Sequence, residues 1–174
     1  PIHYYAFEML YWCGIRIGEL FALTPADFDF KNGTVSITKS YQRINKQDVI
    51  TTPKTPKSIR VIQMPKFLCD EMQDYFKMFY SLDSDSRIFP ISKNYLHREM
   101  ARGSKATGVK RIRIHDLRHS HVSLLIDMGF TALAIADRVG HESIDITFRY
   151  AHLFPTRQIE MADKLDMMRS EKGA

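Results

Sequence analysis

The 174 residues carry a net charge of +5, with 44% hydrophobic and 26% charged side chains. That balance fits one globular domain and excludes a disordered or low-complexity chain; no apolar run is long enough to span a membrane. Two cysteines, Cys13 and Cys69, make no disulfide framework and point to a reducing, cytoplasmic setting.

Ala6, Met9, Leu10 and Cys13 recur at helical spacing until Gly14 interrupts them. A second helical piece carries Ile17, Leu20 and Phe21 on one face, with Arg16 and Glu19 on another. Thr24-Pro25-Ala26-Asp27 reads as a cap with proline at the first helical position. Asn32-Gly33 then opens a strand zone, in which Val35 and Ile37 alternate with Ser36 and Thr38, and Ile59 and Val61 with Ser58 and Arg60. A short strand at Val49-Ile50-Thr51 completes an expected three-stranded antiparallel sheet. Its connection, Pro53-Lys54-Thr55-Pro56-Lys57, is turn-like and basic.

After Pro65 the pattern is helical, with loops. Leu68, Met72, Tyr75, Phe76 and Phe79 form one stripe, and Leu96 with Met100 marks a second helix. A third carries Leu117, His121, Leu124, Leu125 and Met128 and ends near Gly129. Thr131 caps a short helix that Gly140 stops, and Ser143 caps the segment leading to Tyr150. Beyond Pro155, Ile159, Ala162 and Leu165 make a thin stripe on a last amphipathic helix. The expected fold class is α+β, mostly helical with a small three-stranded antiparallel sheet.

Charge is segregated along the chain. Lys39 to Lys66 holds seven Lys/Arg against Asp48 alone, and Lys93 to Arg118 holds eight against Glu99 and Asp116. The stretch between them, Phe67 to Arg87, is acidic. Such separation suits one face built for phosphates.

Six separated residues share one chemistry: Arg16, Lys54, His115, Arg118, His141 and Tyr150. His115 and Arg118 are three apart at a helix start and so share a face. A planar guanidinium binds two phosphate oxygens at once, and a histidine donates to a third or moves a proton. Arg16 follows the Gly14 break, with Glu19 as a supporting partner. His141 stands beside a helix-ending glycine, where a bland role against the helix dipole is the alternative. Tyr150 alone reads as half-buried packing; with the others it reads as a nucleophile. His121 falls on an apolar stripe and is assigned to the core or to support behind the site. His119, four positions after His115, allows a zinc pair, but no third ligand presents itself, so no metal is expected.

Taken together these pieces resemble the catalytic domain of the tyrosine recombinases, the family of phage and conjugative-transposon integrases. Cys13-Gly14-Ile15-Arg16-Ile17-Gly18-Glu19-Leu20 looks like the first-arginine motif, and Pro53 to Arg60 is similar to the hairpin lysine motif. His115-Asp116-Leu117-Arg118-His119-Ser120-His121 matches the His-x-x-Arg box. Val139 to Ser143 and Ile146 to His152 match the last two elements, His141 and Tyr150 being nine positions apart. Cys13 departs from the threonine common there. Lys57 shares the loop of Lys54, which is preferred for its Lys-Thr context.

The resemblance implies cleavage and rejoining of DNA through a 3′-phosphotyrosine, without metal, cofactor or ATP. Tyr150 attacks, His115 takes its proton, Arg16, Arg118 and His141 hold the phosphate oxygens, and Lys54 protonates the leaving 5′ oxygen. It further implies double-stranded DNA as partner and a homotetramer on two duplexes for the full-length protein. The 174 residues are expected to be one catalytic domain cut from a larger protein, monomeric by itself, with further DNA-binding regions preceding it. Lys57, Arg98 and Arg102 are expected phosphate contacts. Two other readings are type IB topoisomerase-like relaxation and a non-catalytic helix-turn-helix module over Leu117 to Val139; the second leaves Arg16, Lys54 and Tyr150 unexplained.

Overall fold

The computed structural model describes residues 2–53, 55–154 and 158–172. Helix α1 (Ile2–Trp12) buries Tyr5, Ala6, Met9 and Leu10, the stripe its spacing predicts. It ends because Gly14 turns the chain at φ 61°, a conformation open to glycine. α2 (Ile17–Ala22) follows, then a single 3₁₀ turn at Pro25–Asp27. That turn is closed by Asp27, whose carboxylate accepts from the Thr24 N–H at 2.8 Å and from its hydroxyl at 3.0 Å.

The strands depart from expectation in two ways. β2 (Thr34–Ile37) pairs antiparallel with β5 (Arg60–Gln63) as predicted, but the third strand of that sheet is β1 (Phe28–Asp29). Val49–Thr51 belongs instead to a separate hairpin, β3 (Ser40–Ile44) with β4 (Gln47–Thr51). Its two-residue tip, Asn45-Lys46, has positive φ at both positions, so the turn matches the twist of the strands. The second difference is one of phase. In β5 the buried residues are Arg60 and Ile62, while Val61 is 64% and Ile59 52% exposed. Arg60 faces inward because a buried carboxylate, Glu19, waits for it there.

Four helices follow much as the sequence indicates: α3 (Lys66–Lys77), α4 (Lys93–Thr107), α5 (Ile114–Asp127) and α6 (Ala132–Val139). Thr131 caps α6, its hydroxyl accepting from the Ala134 N–H, and Gly140 ends it in the left-handed region. Ser143 caps the short α7 (Ile144–Phe148). The last helix is α8 (Gln158–Lys172); Pro155, expected to open it, lies outside the described residues. Ile159 and Leu165 on it are 80% and 67% exposed, so its apolar stripe is largely uncovered.

Two apolar cores result. The larger joins α1, α2, β2, β5 and α3 to Leu96 of α4 and Ile114 of α5. The smaller is Val122, Ile126, Ile135 and Val139, with Leu125, Tyr150 and Phe154 against it. α5 passes from one to the other. Arg138 ties α6 back to the first core, donating to the backbone oxygens of Gln63 and Trp12 at 3.0 and 3.1 Å.

Phe89 is fully buried in the larger core, stacked on Tyr75 at 5.4 Å. Phe89→Ala is expected to cost about 3–5 kcal/mol of stability, through lost transfer energy and an unfilled cavity. Urea denaturation checks this, and an unchanged midpoint contradicts the packing described.

Candidate active site

Arg16 occupies the N-cap of α2. Its backbone N–H donates to Glu19 Oε2 at 2.8 Å, its Nη1 to Glu19 Oε1 at 2.9 Å, and its Nη2 to the Gly140 carbonyl at 3.2 Å. Glu19 is buried and also receives Nη1 and Nη2 of Arg60, at 3.1 and 3.0 Å. Burial pushes the Glu19 carboxyl up, but hydrogen bonds and charge from Arg60, joined by Arg16, outweigh it and hold the group below its ordinary value. Arg60 reaches two further segments: Nε donates to the Arg138 carbonyl and Nη1 to that of Ser58, both at 3.0 Å.

On α5, His115, Arg118 and His119 share one face by their i, i+3, i+4 spacing. Arg118 is buried, and its Nη1 donates to the Gly14 carbonyl at 2.6 Å. Its Nη2 is buried without a hydrogen-bond partner. One edge of the guanidinium is therefore anchored and another is unsatisfied, a costly arrangement unless an acceptor arrives. Burial first, then the charge of Arg16, pulls the Arg118 pKa down to about 9. Gly14 is required behind it, since a Cβ there would lie 2.5 Å from the His121 ring.

The Gly140 turn is also closely packed, though less so. A Cβ would come within 3.0 Å of the Arg60 guanidinium and 3.1 Å of the Lys57 carbonyl. Next to it His141 is buried, its Nδ1 joined to Thr147 Oγ1 at 2.7 Å, which fixes the ring. Burial, then the charges of Arg118 and Arg16, lowers its pKa to about 4. His115 is also held below its ordinary value, first by burial, then by His119, Arg118 and Arg16. Both shifts favour the neutral imidazole, which donates from one ring nitrogen and accepts at the other.

Tyr150 follows α7, with its ring against the smaller core. Its hydroxyl is hydrogen-bonded to Nδ1 of His119. Burial raises its pKa, and the charges of Arg118 and Arg149 oppose the rise. Two open clefts meet at Arg16: one of about 840 Å³ that also touches Arg43, Lys93 and His115, and one of about 540 Å³ beside Thr55, Ser58 and Gly140.

Arg16, His115, Arg118, His141 and Tyr150 thus come together, from four separate segments. Lys54 lies outside the described residues. Lys57 is exposed on the 3₁₀ turn Pro56–Ser58, one face of which borders the smaller cleft. Arg98 is exposed on α4, and Arg102 is exposed and paired with Glu99. His121 is buried, accepting from Arg138 Nε at 3.2 Å. Among the described residues no three His, Cys, Asp or Glu side chains gather as a ligand set. Sequence reasoning passed over Arg60, Thr147 and the contact of His119 with Tyr150. For Arg60 the available signal was a charged residue inside an apolar strand; for Thr147 there was none.

His121, like His141, is lowered to about 4, by burial and then by Arg138. Both remain neutral in the folded chain down to that pH, whereas an unfolded histidine protonates near ~6.5. The unfolded state therefore binds more protons in this window, and stability falls as pH drops from about 6.5 toward 4. Urea midpoints at pH 7 and pH 5 check this; a midpoint that holds or rises at pH 5 contradicts it.

Comparison with known proteins gives concordant matches. The sequence model described as the phage integrase family matches residues 2–157. The ICEBs1 integrase of Bacillus subtilis (strain 168) is 36% identical, over 92% of this chain and 47% of its own length. The putative prophage phiRv2 integrase of Mycobacterium tuberculosis (strain H37Rv) is 28% identical, over 97% and 47%. The fold is shared with the Tn1549 transposon integrase, solved in complex with transposon right end DNA: TM-score 0.73, 22% identity, 96% of this chain and 58% of that one. The chain spans about half the length of the curated relatives it matches.

Proposed function

We propose that this chain, which belongs to the phage integrase family, is the catalytic domain of a site-specific DNA recombinase that works through a covalent phosphotyrosine. The observation that carries the reading is an unsatisfied, buried Arg118 nitrogen, on a guanidinium close enough to Arg16, His141 and Tyr150 to feel or exert their charge. An anion with several oxygens answers that arrangement, and the phosphodiester of double-stranded DNA is such an anion.

In this reading the scissile phosphate sits against Arg118 and Arg16, with His141 donating to a remaining oxygen. Charge builds on those oxygens as Tyr150 attacks, and charge-assisted hydrogen bonds contribute roughly 1.5–3 kcal/mol each. The product is a 3′-phosphotyrosine and a free 5′ hydroxyl, whose oxygen Lys54 protonates. The covalent bond retains the energy of the broken one, so a second DNA end reverses the step without ATP. No metal is needed, because the guanidinium groups supply the positive charge. Lys57, Arg98 and Arg102 would contact the backbone, with Arg102 leaving Glu99 to do so. The full-length protein would carry further DNA-binding regions and act as a homotetramer on two duplexes, with the uncovered stripe of α8 against a neighbouring subunit.

Tyr150→Phe is expected to bind DNA at wild-type strength and form no covalent adduct. Trapping on a nicked duplex bearing the element's recombination site, run in EDTA on a denaturing gel, checks both points. An adduct from the variant removes Tyr150 as nucleophile, and loss of the wild-type adduct in EDTA restores a metal. Arg118→Ala is expected to lose cleavage while keeping its circular dichroism spectrum; an unfolded variant makes the arginine structural.

A further inference from the structure

We infer that His119 accepts the Tyr150 proton during cleavage, leaving His115 to the phosphate. The inference rests on the phosphotyrosine reading and deepens it. The Tyr150 hydroxyl is hydrogen-bonded to His119 Nδ1, and the two rings are tilted by 43° with centroids 5.8 Å apart, so the hydroxyl meets a ring nitrogen at the edge. For Nδ1 to accept, the ring carries its own proton on Nε2. His115 stands differently. It is exposed, lines the larger cleft with Arg16, and presents its ring edge-to-face to His119 at 4.8 Å. One helical turn separates the two rings, so α5 offers one to the groove and the other to the tyrosine.

The groups around the pair are His115, Asp116 and Arg118 on α5, His141 after α6, and Arg149 after α7. Arg118 and Arg149 favour a phenolate at Tyr150. In the step, the O–H bond of Tyr150 breaks and its proton passes to Nδ1. The freed oxygen pair forms the bond to phosphorus, the P–O5′ bond breaks, and the departing 5′ oxygen takes a proton from another group. On rejoining, His119 returns its proton to Tyr150 as the phosphotyrosine bond breaks.

The test is single-turnover trapping on the nicked duplex, with oxygen and then with sulfur at the bridging 5′ position. His119→Gln keeps a hydrogen-bonding side chain but accepts no proton, and is expected to slow adduct formation about 10²–10⁴-fold on both substrates. A thiolate leaves without an acid, but the phenol still needs its base. His119→Ala is expected to regain part of its rate with added imidazole, which also shows that it is folded. Wild-type rates from His119→Gln overturn the inference. So does recovery of that variant on the sulfur substrate, which would assign His119 to the leaving group, or a rate above wild type, which would make the contact a restraint on Tyr150. A wild-type chain that forms no adduct overturns the phosphotyrosine reading itself, and the inference with it.

Discussion

The site depends on one buried carboxylate. Glu19 accepts from both Arg16 and Arg60, and through Arg60 it reaches the Ser58 carbonyl and the end of α6. An unpaired charge at that depth would be strongly destabilising, and so would the buried Arg60 without its carboxylate. The pairing therefore fixes the relative positions of α2, the end of the hairpin loop and the Gly140 turn. Those are the segments that carry Arg16, Lys57 and His141. A hydrophobic replacement could hold such segments as tightly, but it could not aim an arginine.

The charge count then explains why the site wants a ligand. Arg16, Arg60 and Arg118 bring three positive charges to one region, and Glu19 answers with one negative. Arg16 and Arg60 share that carboxylate, whereas Arg118 has a backbone carbonyl on one nitrogen and nothing on another. The neighbouring histidines are held below their ordinary pKa by desolvation first and then by these cations: His141 is buried beside Arg118 and Arg16, and His115 lines the cleft next to them. In the proposed function, a phosphodiester entering the cleft would supply the missing negative charge. It would satisfy Arg118 Nη2 and weaken the repulsion that, after burial, depresses both imidazoles, so binding would strengthen the donors that bind it.

How much of this the sequence discloses follows from the range of the interactions. Local devices were legible: the Gly14 break, the Thr131 and Ser143 caps, the Gly140 stop, and the i, i+3 placement of His115 and Arg118. Each is decided within about one helical turn. Strand partners were not, because β1 and β5 reach β2 through separate connections and nothing within Val49–Thr51 distinguishes a hairpin from a third strand. The phase of β5 failed for a sharper reason. Alternation placed Ile59 and Val61 inside, but the residue turned inward is chosen by Glu19, forty-one positions away. The Tyr150–His119 contact is likewise set by how α6 and α7 fold back on α5, which no spacing records.

In the proposed function the two cores divide the catalytic tasks. Arg16 and its carboxylate belong to the larger one, through α2 and β5, while Tyr150 packs on the four-residue cluster between α5 and α6. Arg118 and His119 are adjacent on α5, the helix common to both. The arginine-bearing face and the tyrosine-bearing face are therefore turned toward each other by a single helix. Neighbouring residues on a helix point about 100° apart, so Arg118 can look toward Gly14 and Arg16 while His119 looks toward Tyr150. That geometry needs His119 in the position next to the arginine. It gives the second histidine of His115-Asp116-Leu117-Arg118-His119 a role that the pattern of the motif alone leaves unassigned.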